Sequence, residues 1–213
     1  MSNNAVIEQV RQAVEQVVDQ MRQQPIPVGV SNRHLHLCAE DFDALFPGQT
    51  LTPIKSLRQP GHFAAEQTVT LVGPKGKLER VRILGPLRRA TQVEVSYTDA
   101  RSLGLKAPMR MSGDLDNTPG VILRSDFGEV SLKQGVIVAQ RHIHMSPMDA
   151  TIHGVSDGDL VKVTILGTDR RATFDDVAIR VDPKTVAELH LDTDEANAAA
   201  MGSGAGYAIL SRQ

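Results

Sequence analysis

The sequence predicts a mainly β protein, two small β-barrels capped by short helices, with an amphipathic helix at its N-terminus. Three observations carry this. Beyond residue 27 the chain is a succession of short Val/Ile/Leu/Thr-rich runs broken by Gly and Pro, the texture of small barrels rather than of βαβ units. Before residue 25 the apolar residues follow a helical period instead. A ten-residue segment recurs about half a chain later, which implies two related halves.

The elements follow in order. Ile7, Val10, Val14, Val17 and Met21 are spaced 3, 4, 3 and 4 apart, a heptad seam that predicts a helix over 3–23. Ser2 or Asn3 is placed to cap it, and Pro25-Ile26-Pro27 stops it. About three heptads are marginal as an isolated helix, so the seam has to dock on something. Strands are predicted at 28–30, 68–72, 80–84, 92–96, 121–123, 136–139, 160–165, 172–174 and 208–210. Gly73-Pro74-Lys75-Gly76-Lys77 lacks the spacing of a phosphate-binding loop and leads into a strand, so it reads as a hairpin turn. Short helices are predicted at 39–45, 98–103, 147–152 and 192–200. The glycine-rich run 202–206 opens no helix and reads as a turn.

Composition removes several function classes. Lys+Arg is 23 against Asp+Glu 25, and aromatic residues are 3%, so there is neither a basic footprint nor a stacking platform for nucleic acid. No run reaches the length of about 18 apolar residues that suggests a membrane span. The first residues lack the basic and apolar regions of a signal peptide. The single cysteine, Cys38, has no internal partner, and a reducing, cytoplasmic compartment is expected.

The recurring segment carries the chemistry. Val28-Gly-Val-Ser-Asn-Arg33-His34-Leu35-His36-Leu37 aligns with Val136-Ile-Val-Ala-Gln-Arg141-His142-Ile143-His144-Met145, 108 residues on. Cys38 and Ser146 then begin parallel helix starts, where Ser146 is an N-cap, Pro147 the first helical residue, and Cys38 a weak cap. His-x-His on an extended segment points both rings to one face, because side chains alternate with period 2. Two imidazoles suit zinc, iron, nickel or copper. Two such pairs hold two ions or share one, against the plainer reading of half-buried strand faces.

Other candidates are weaker. His190 stands alone in its segment, either structural or a ligand, while His62 and His153 lie beside glycines in expected loops and read as solvated. Glu94 alternates with Val93 and Val95, which places it outward or in a cleft. Arg88 and Arg89 follow Gly85-Pro86-Leu87, where a guanidinium fork suits phosphate but a solvated turn is the plainer reading.

Together, Pro25–Leu37, Gln67–Gly76, Leu84-Gly-Pro-Leu-Arg88, Val136–Pro147 and the segment from His190 to Ala199 resemble the phosphate propanoyltransferase family, the phosphotransacylases of propanediol-utilising bacterial microcompartments. The resemblance covers roughly residues 24–212. It implies transfer of an acyl group between coenzyme A and inorganic phosphate, with propanoyl-CoA the expected substrate and acetyl-CoA a second one. It implies two barrels, one from 24–32 with 140–211 and one from 33–139, after the N-terminal helix 1–23. It implies two divalent metal ions, zinc by preference, at a site shared by the barrels. Carried over by motif, the ligands are His34, His36, Glu94, His142, His144 and His190, and Arg88 is the catalytic, phosphate-holding residue. A homo-oligomer inside a microcompartment is expected. The N-terminal helix either targets the chain to shell or lumen proteins or packs on its own fold. Two other classes stay open on the residues alone: a metal-dependent hydrolase using water as nucleophile, and a non-catalytic shell or scaffold protein.

Overall fold

The computed structural model describes residues 3–202 and 206–211, so the capping side chains of Ser2 and Asn3 and residues 203–205 of the expected glycine-rich turn lie outside the described residues. The chain is mainly β, as predicted, and divides into two compact units. One unit runs up to Gly29, takes His142–His190 and resumes at Ala199; the other is Val30–Arg141 with Leu191–Ala198.

The first unit opens with helix α1, Asn3–Arg22, ended by the Pro25-Ile26-Pro27 run as expected. Arg22 anchors the helix by donating from Nε to the Ile152 carbonyl. Its apolar seam stays open: Ile7 is 65% exposed and Val10 58%. The rest of the unit is a closed six-stranded barrel of β1 (Ile26–Ser31), β11 (His142–Met145), β12 (Leu160–Leu166), β13 (Thr173–Val181), β14 (Glu188–Asp192) and β15 (Gly206–Ser211). Its strand order is β1-β14-β11-β13-β12-β15, and β15 pairs with β1 to close the ring. Ile143, Ile179, Leu189 and Ile165 are fully buried. Helix α4, Pro147–His153, begins at Ser146 with a capping box: Ser146 Oγ accepts from Asp149 N–H, and the Asp149 carboxylate accepts from Ser146 N–H.

The second unit is a nine-stranded sheet, a half-barrel. It contains β2 (His34–His36), β3 (Pro53–Ser56), β4 (Phe63–Val72), β5 (Lys77–Gly85), β6 (Gln92–Glu94), β7 (Met109–Arg110), β8 (Ile122–Arg124), β9 (Glu129–Ser131) and β10 (Val136–Ala139). Its order is β7-β10-β6-β2-β5-β4-β8-β9, with β3 on β4. β4 and β5 form the predicted hairpin, closed by Gly73 N–H on the Gly76 carbonyl. Leu35, Leu71, Ile83, Val93 and Leu123 lie in the core, and α2 (Ala39–Leu45) adds Phe42 and Leu45. Cys38 does occupy the N-cap of α2, yet its side chain makes no cap bond; Thr91 Oγ1 turns toward its sulfur at 3.4 Å instead. Helices α3 (Tyr97–Leu103) and α5 (Thr193–Ala198) complete the set.

The repeat extends far beyond the ten residues that announce it. Six consecutive strands of the half-barrel, β10-β6-β2-β5-β4-β8, match the barrel order β1-β14-β11-β13-β12-β15. In both, the His-x-His strand runs parallel to one neighbour, β5 or β13, and antiparallel to the other, β6 or β14. The strands that precede the two motifs are exchanged. β1, which leads into β2, sits in the barrel, while β10, which leads into β11, sits in the half-barrel. Each sheet is therefore completed by a strand whose chain neighbour belongs to the other.

Helix α5 starts with reciprocal bonds of the same capping kind: Glu195 N–H donates to Asp192 Oδ1 at 2.8 Å, and Asp192 N–H to Glu195 Oε2 at 2.9 Å. Burial pushes the Asp192 carboxyl up to about 6, against about 3.9 in an unfolded chain. A raised acid pKa stabilises the fold below the unfolded value and loses that contribution as pH rises through the folded one. In chelator-treated protein, wild type should therefore lose stability relative to Asp192→Asn, which keeps the cap, by about 1–2 kcal/mol between pH 4 and pH 6 after screening. Urea unfolding of the two proteins across that range measures it, and parallel pH profiles would contradict it.

Candidate functional site

In each unit a His-x-His strand meets an antiparallel partner in a fixed register. On β2 and β6, His34 lies opposite Glu94, Leu35 opposite Val93 and His36 opposite Gln92. On β11 and β14, His142 lies opposite His190, Ile143 opposite Leu189 and His144 opposite Glu188. Because side chains alternate, each pair of strands presents a two-by-two block on one face. The intervening Leu35, Val93, Ile143 and Leu189 are fully buried on the other.

The six residues expected as ligands fall into two groups. His34, His36 and Glu94 form one, and His142, His144 and His190 the other; within each, donor atoms all lie within 4.8 Å of one another. His34 Nδ1 meets the Asn32 carbonyl at 2.9 Å and His36 Nδ1 the Leu84 carbonyl at 3.0 Å, which leaves the Nε2 of both rings for a ligand. His34 Nε2 is 3.5 Å from Glu94 Oε2. In the second group His142 Nε2 and His144 Nε2 are 3.2 Å apart, and the three rings meet edge to face. Tetrahedral zinc with bonds of about 2.0–2.1 Å places its donors about 3.3 Å apart, so the spacing suits a first-row metal. That contact is either a hydrogen bond between rings of complementary tautomer or two lone pairs that share a cation.

Electrostatics favours the ligand form of His36. Its burial, with His34 and the Arg88 guanidinium nearby, pulls its pKa down to about 3. The ring is neutral at pH 7, with a lone pair to offer.

Arg88 is half-buried on the loop after β5. Its backbone N–H donates to the Leu37 carbonyl at 2.8 Å, one residue past His36, and its Nη1 to Ser112 Oγ at 3.1 Å. Arg89 is exposed. His62 and His153 join neither group, and both are half-buried, His62 before β4 and His153 at the end of α4, rather than fully solvated.

Four neighbours escape a reading of the sequence. Gln92 and Glu188 complete the two blocks, and only the β6 and β14 registers reveal them. Arg33 and Arg141, which open the two motifs, turn to structure. Arg33 Nη1 pairs with Asp99 Oδ1 at 2.6 Å, and Arg141 Nη1 with Glu195 Oε1 at 2.9 Å. Both carboxylates stand at the third position of the helix that follows the partner strand, α3 or α5. Each Arg thereby ties its strand to the end of the strand opposite.

Comparison with known proteins gives the family of the chain. A family model described as phosphate propanoyltransferase matches residues 27–202, the span that contains both blocks and Arg88. Among curated relatives, the phosphate propanoyltransferase of Citrobacter freundii is 59% identical over 203 residues, covering 95% of this chain and 97% of that protein. Those of Escherichia fergusonii and Salmonella typhimurium are 64% and 59% identical, over 88% and 95% of this chain and 89% and 97% of their own lengths. The chain belongs to the phosphate propanoyltransferase family of acyltransferases.

Proposed function

We propose that this enzyme interconverts propanoyl-CoA plus phosphate with propanoyl phosphate plus coenzyme A, in 1,2-propanediol degradation, and accepts acetyl-CoA as a second substrate. The observation that carries the reading is the place of Arg88 beside the His34–His36–Glu94 group: its backbone N–H holds the Leu37 carbonyl next to His36, and its Nη1 shares Ser112 Oγ with Gln92, which donates to Glu94. His34, His36 and Glu94 would hold one divalent ion, and His142, His144 and His190 a second, with zinc favoured by the N-rich donor sets. Such ions, when bound, supply Lewis-acid polarisation and charge neutralisation.

The side chains have separable tasks. The Arg88 fork matches two phosphate oxygens at once, and its bond to Ser112 fixes the plane of that fork. A phosphate held there is oriented to attack the thioester carbonyl carbon. Attack forms the C–O bond and a tetrahedral intermediate; its collapse restores the carbonyl and breaks the C–S bond, and coenzyme A departs as a thiolate that takes up the proton phosphate gives up. No Ser or Cys nucleophile is needed, and Cys38 is not among the grouped ligands.

The decisive assay follows acyl phosphate formation from propanoyl-CoA and phosphate. Activity should vanish with a strong chelator and return with zinc. Arg88→Lys keeps the charge but loses the fork, so the phosphate KM should rise about tenfold or more with metal content unchanged. Free propanoate in place of propanoyl phosphate would make the protein a hydrolase, and activity undiminished by metal removal would refute the metal assignment.

We also propose that α1 directs the enzyme into a microcompartment by docking its seam on a shell or lumen protein. Val6, Ile7, Val10, Val14 and Val17 all lie exposed along the helix, an apolar stripe of the kind that fills a partner's groove. No helix among the described residues is long and apolar enough to cross a membrane. Deleting residues 1–23 should leave metal-loaded, active protein that no longer co-purifies with shells, and the segment fused to a reporter should restore association. Aggregation or loss of activity on deletion would make the helix part of the fold instead.

A further inference from the structure

Gln92 and Glu188 stand at equivalent places in the two repeats. Each lies two residues before the ligand contributed by the second strand, on the same face, and opposite the second His of its motif. Their contacts are complementary. Gln92 Nε2 donates to Glu94 Oε1 at 2.5 Å, and so leaves Oε2, the oxygen beside His34, to face the group. Glu188 Oε2 lies 3.0 Å from His190 Nε2, and so leaves Nδ1 of that ring. A carboxylate ligand is thus steadied by an amide donor, and an imidazole ligand by a carboxylate acceptor. His34 and His36 obey the same rule: the nitrogen bonded to protein is turned from the group, and the other nitrogen serves it.

Both residues are themselves fixed. Gln92 is 2% exposed; its Nε2 also donates to Ser112 Oγ at 2.8 Å, and its Oε1 accepts from Gly113 N–H at 2.8 Å. Its amide cannot flip without losing these bonds, and through Ser112 it is joined to Arg88. Glu188 is 8% exposed and sits in a notch that Gly29 leaves on β1. A Cβ at residue 29 would come within 2.8 Å of Glu188 Oε1 and 3.3 Å of the His190 ring. Gly29 has no left-handed φ, so its missing side chain serves space rather than backbone freedom.

We propose that Gln92 and Glu188 are positioning residues of the two metal groups: Gln92 sets which oxygen Glu94 presents, and Glu188 holds His190 with its proton on Nε2, so that Nδ1 binds the metal. This rests on the two-metal reading above and adds its outer layer. Outer partners of this kind typically change metal affinity by about 10–100-fold.

The test uses the full chain loaded with zinc and titrated with a competing chelator, and with cobalt for spectroscopy. Glu188→Ala should release one of its two ions at about 10–100-fold lower chelator activity, and Gln92→Leu should do the same for one ion. Glu188→Gln should recover part of the loss, since its amide oxygen still accepts from Nε2–H. Gly29→Ala presses chiefly on the Glu188 carboxylate, with a looser contact on the His190 ring, and should reproduce the Glu188→Ala effect in weaker form. The cobalt absorption bands of Glu188→Gln should match wild type, because the carboxylate is outside the coordination sphere. Bands altered as for a lost donor would make Glu188 a ligand and overturn the assignment. So would two ions held at wild-type strength in Glu188→Ala and Gln92→Leu. A wild type that never holds two ions removes the function reading itself, and this inference with it.

Discussion

The register between each His-x-His strand and its antiparallel partner is the constraint on which the site depends. β2 and β6 are three residues each, so few backbone bonds set their alignment. Burial sets it instead. Leu35 and Val93, like Ile143 and Leu189, point into cores that exclude water completely. A slip of one residue would drive histidines or carboxylates into those cores and expose the aliphatic side chains. Fully burying such a side chain contributes about 1.5–3 kcal/mol, and charged or polar groups pay heavily for unpaired burial. The hydrophobic side of each strand pair therefore assembles the polar side.

Duplication explains why two such blocks exist. The matched strand orders and the two Arg–carboxylate ties recur as a set. Within the two blocks, what differs in residue type is on the second strand: Gln92 and Glu94 in one copy, Glu188 and His190 in the other. The change of ligand from carboxylate to imidazole comes with a change of its neighbour from donor to acceptor. One group then carries an additional negative charge on its presented donors, and that group is the one near Arg88. The exchange of β1 and β10 binds the copies into one folding problem, since neither sheet is complete from its own half of the chain.

Much of this was legible in the sequence. The helix periods, the 4–5 hairpin and the strand at 136–139 were set by local pattern, and the recurring Arg-His-x-His announced both blocks. Strands β3, β7 and β9 were not visible, because they are two to four residues long, peripheral and largely exposed, too short for an alternation to read. β14 was hidden by the acidic run that follows it, which reads as helix start. Without β14 there was no way to see Glu188 opposite His144, and without the register of β6 with β2 Gln92 looked like any strand residue. The cross-strand partners His36 and Gln92 lie 56 residues apart in the chain, and His144 and Glu188 lie 44 apart, so no local signal could join them. Both separations exceed any window that a hydrophobic period can span.

The central claim is that each two-by-two block is a separate metal centre. Elemental analysis of purified wild type, His34→Ala and His142→Ala, each checked for folding by circular dichroism, tests it most directly. The account predicts about two zinc-class ions per chain in wild type and about one in each variant, because a removed ligand opens only its own group. Folded variants that keep the wild-type metal content, or a folded, active wild type free of metal, would contradict it.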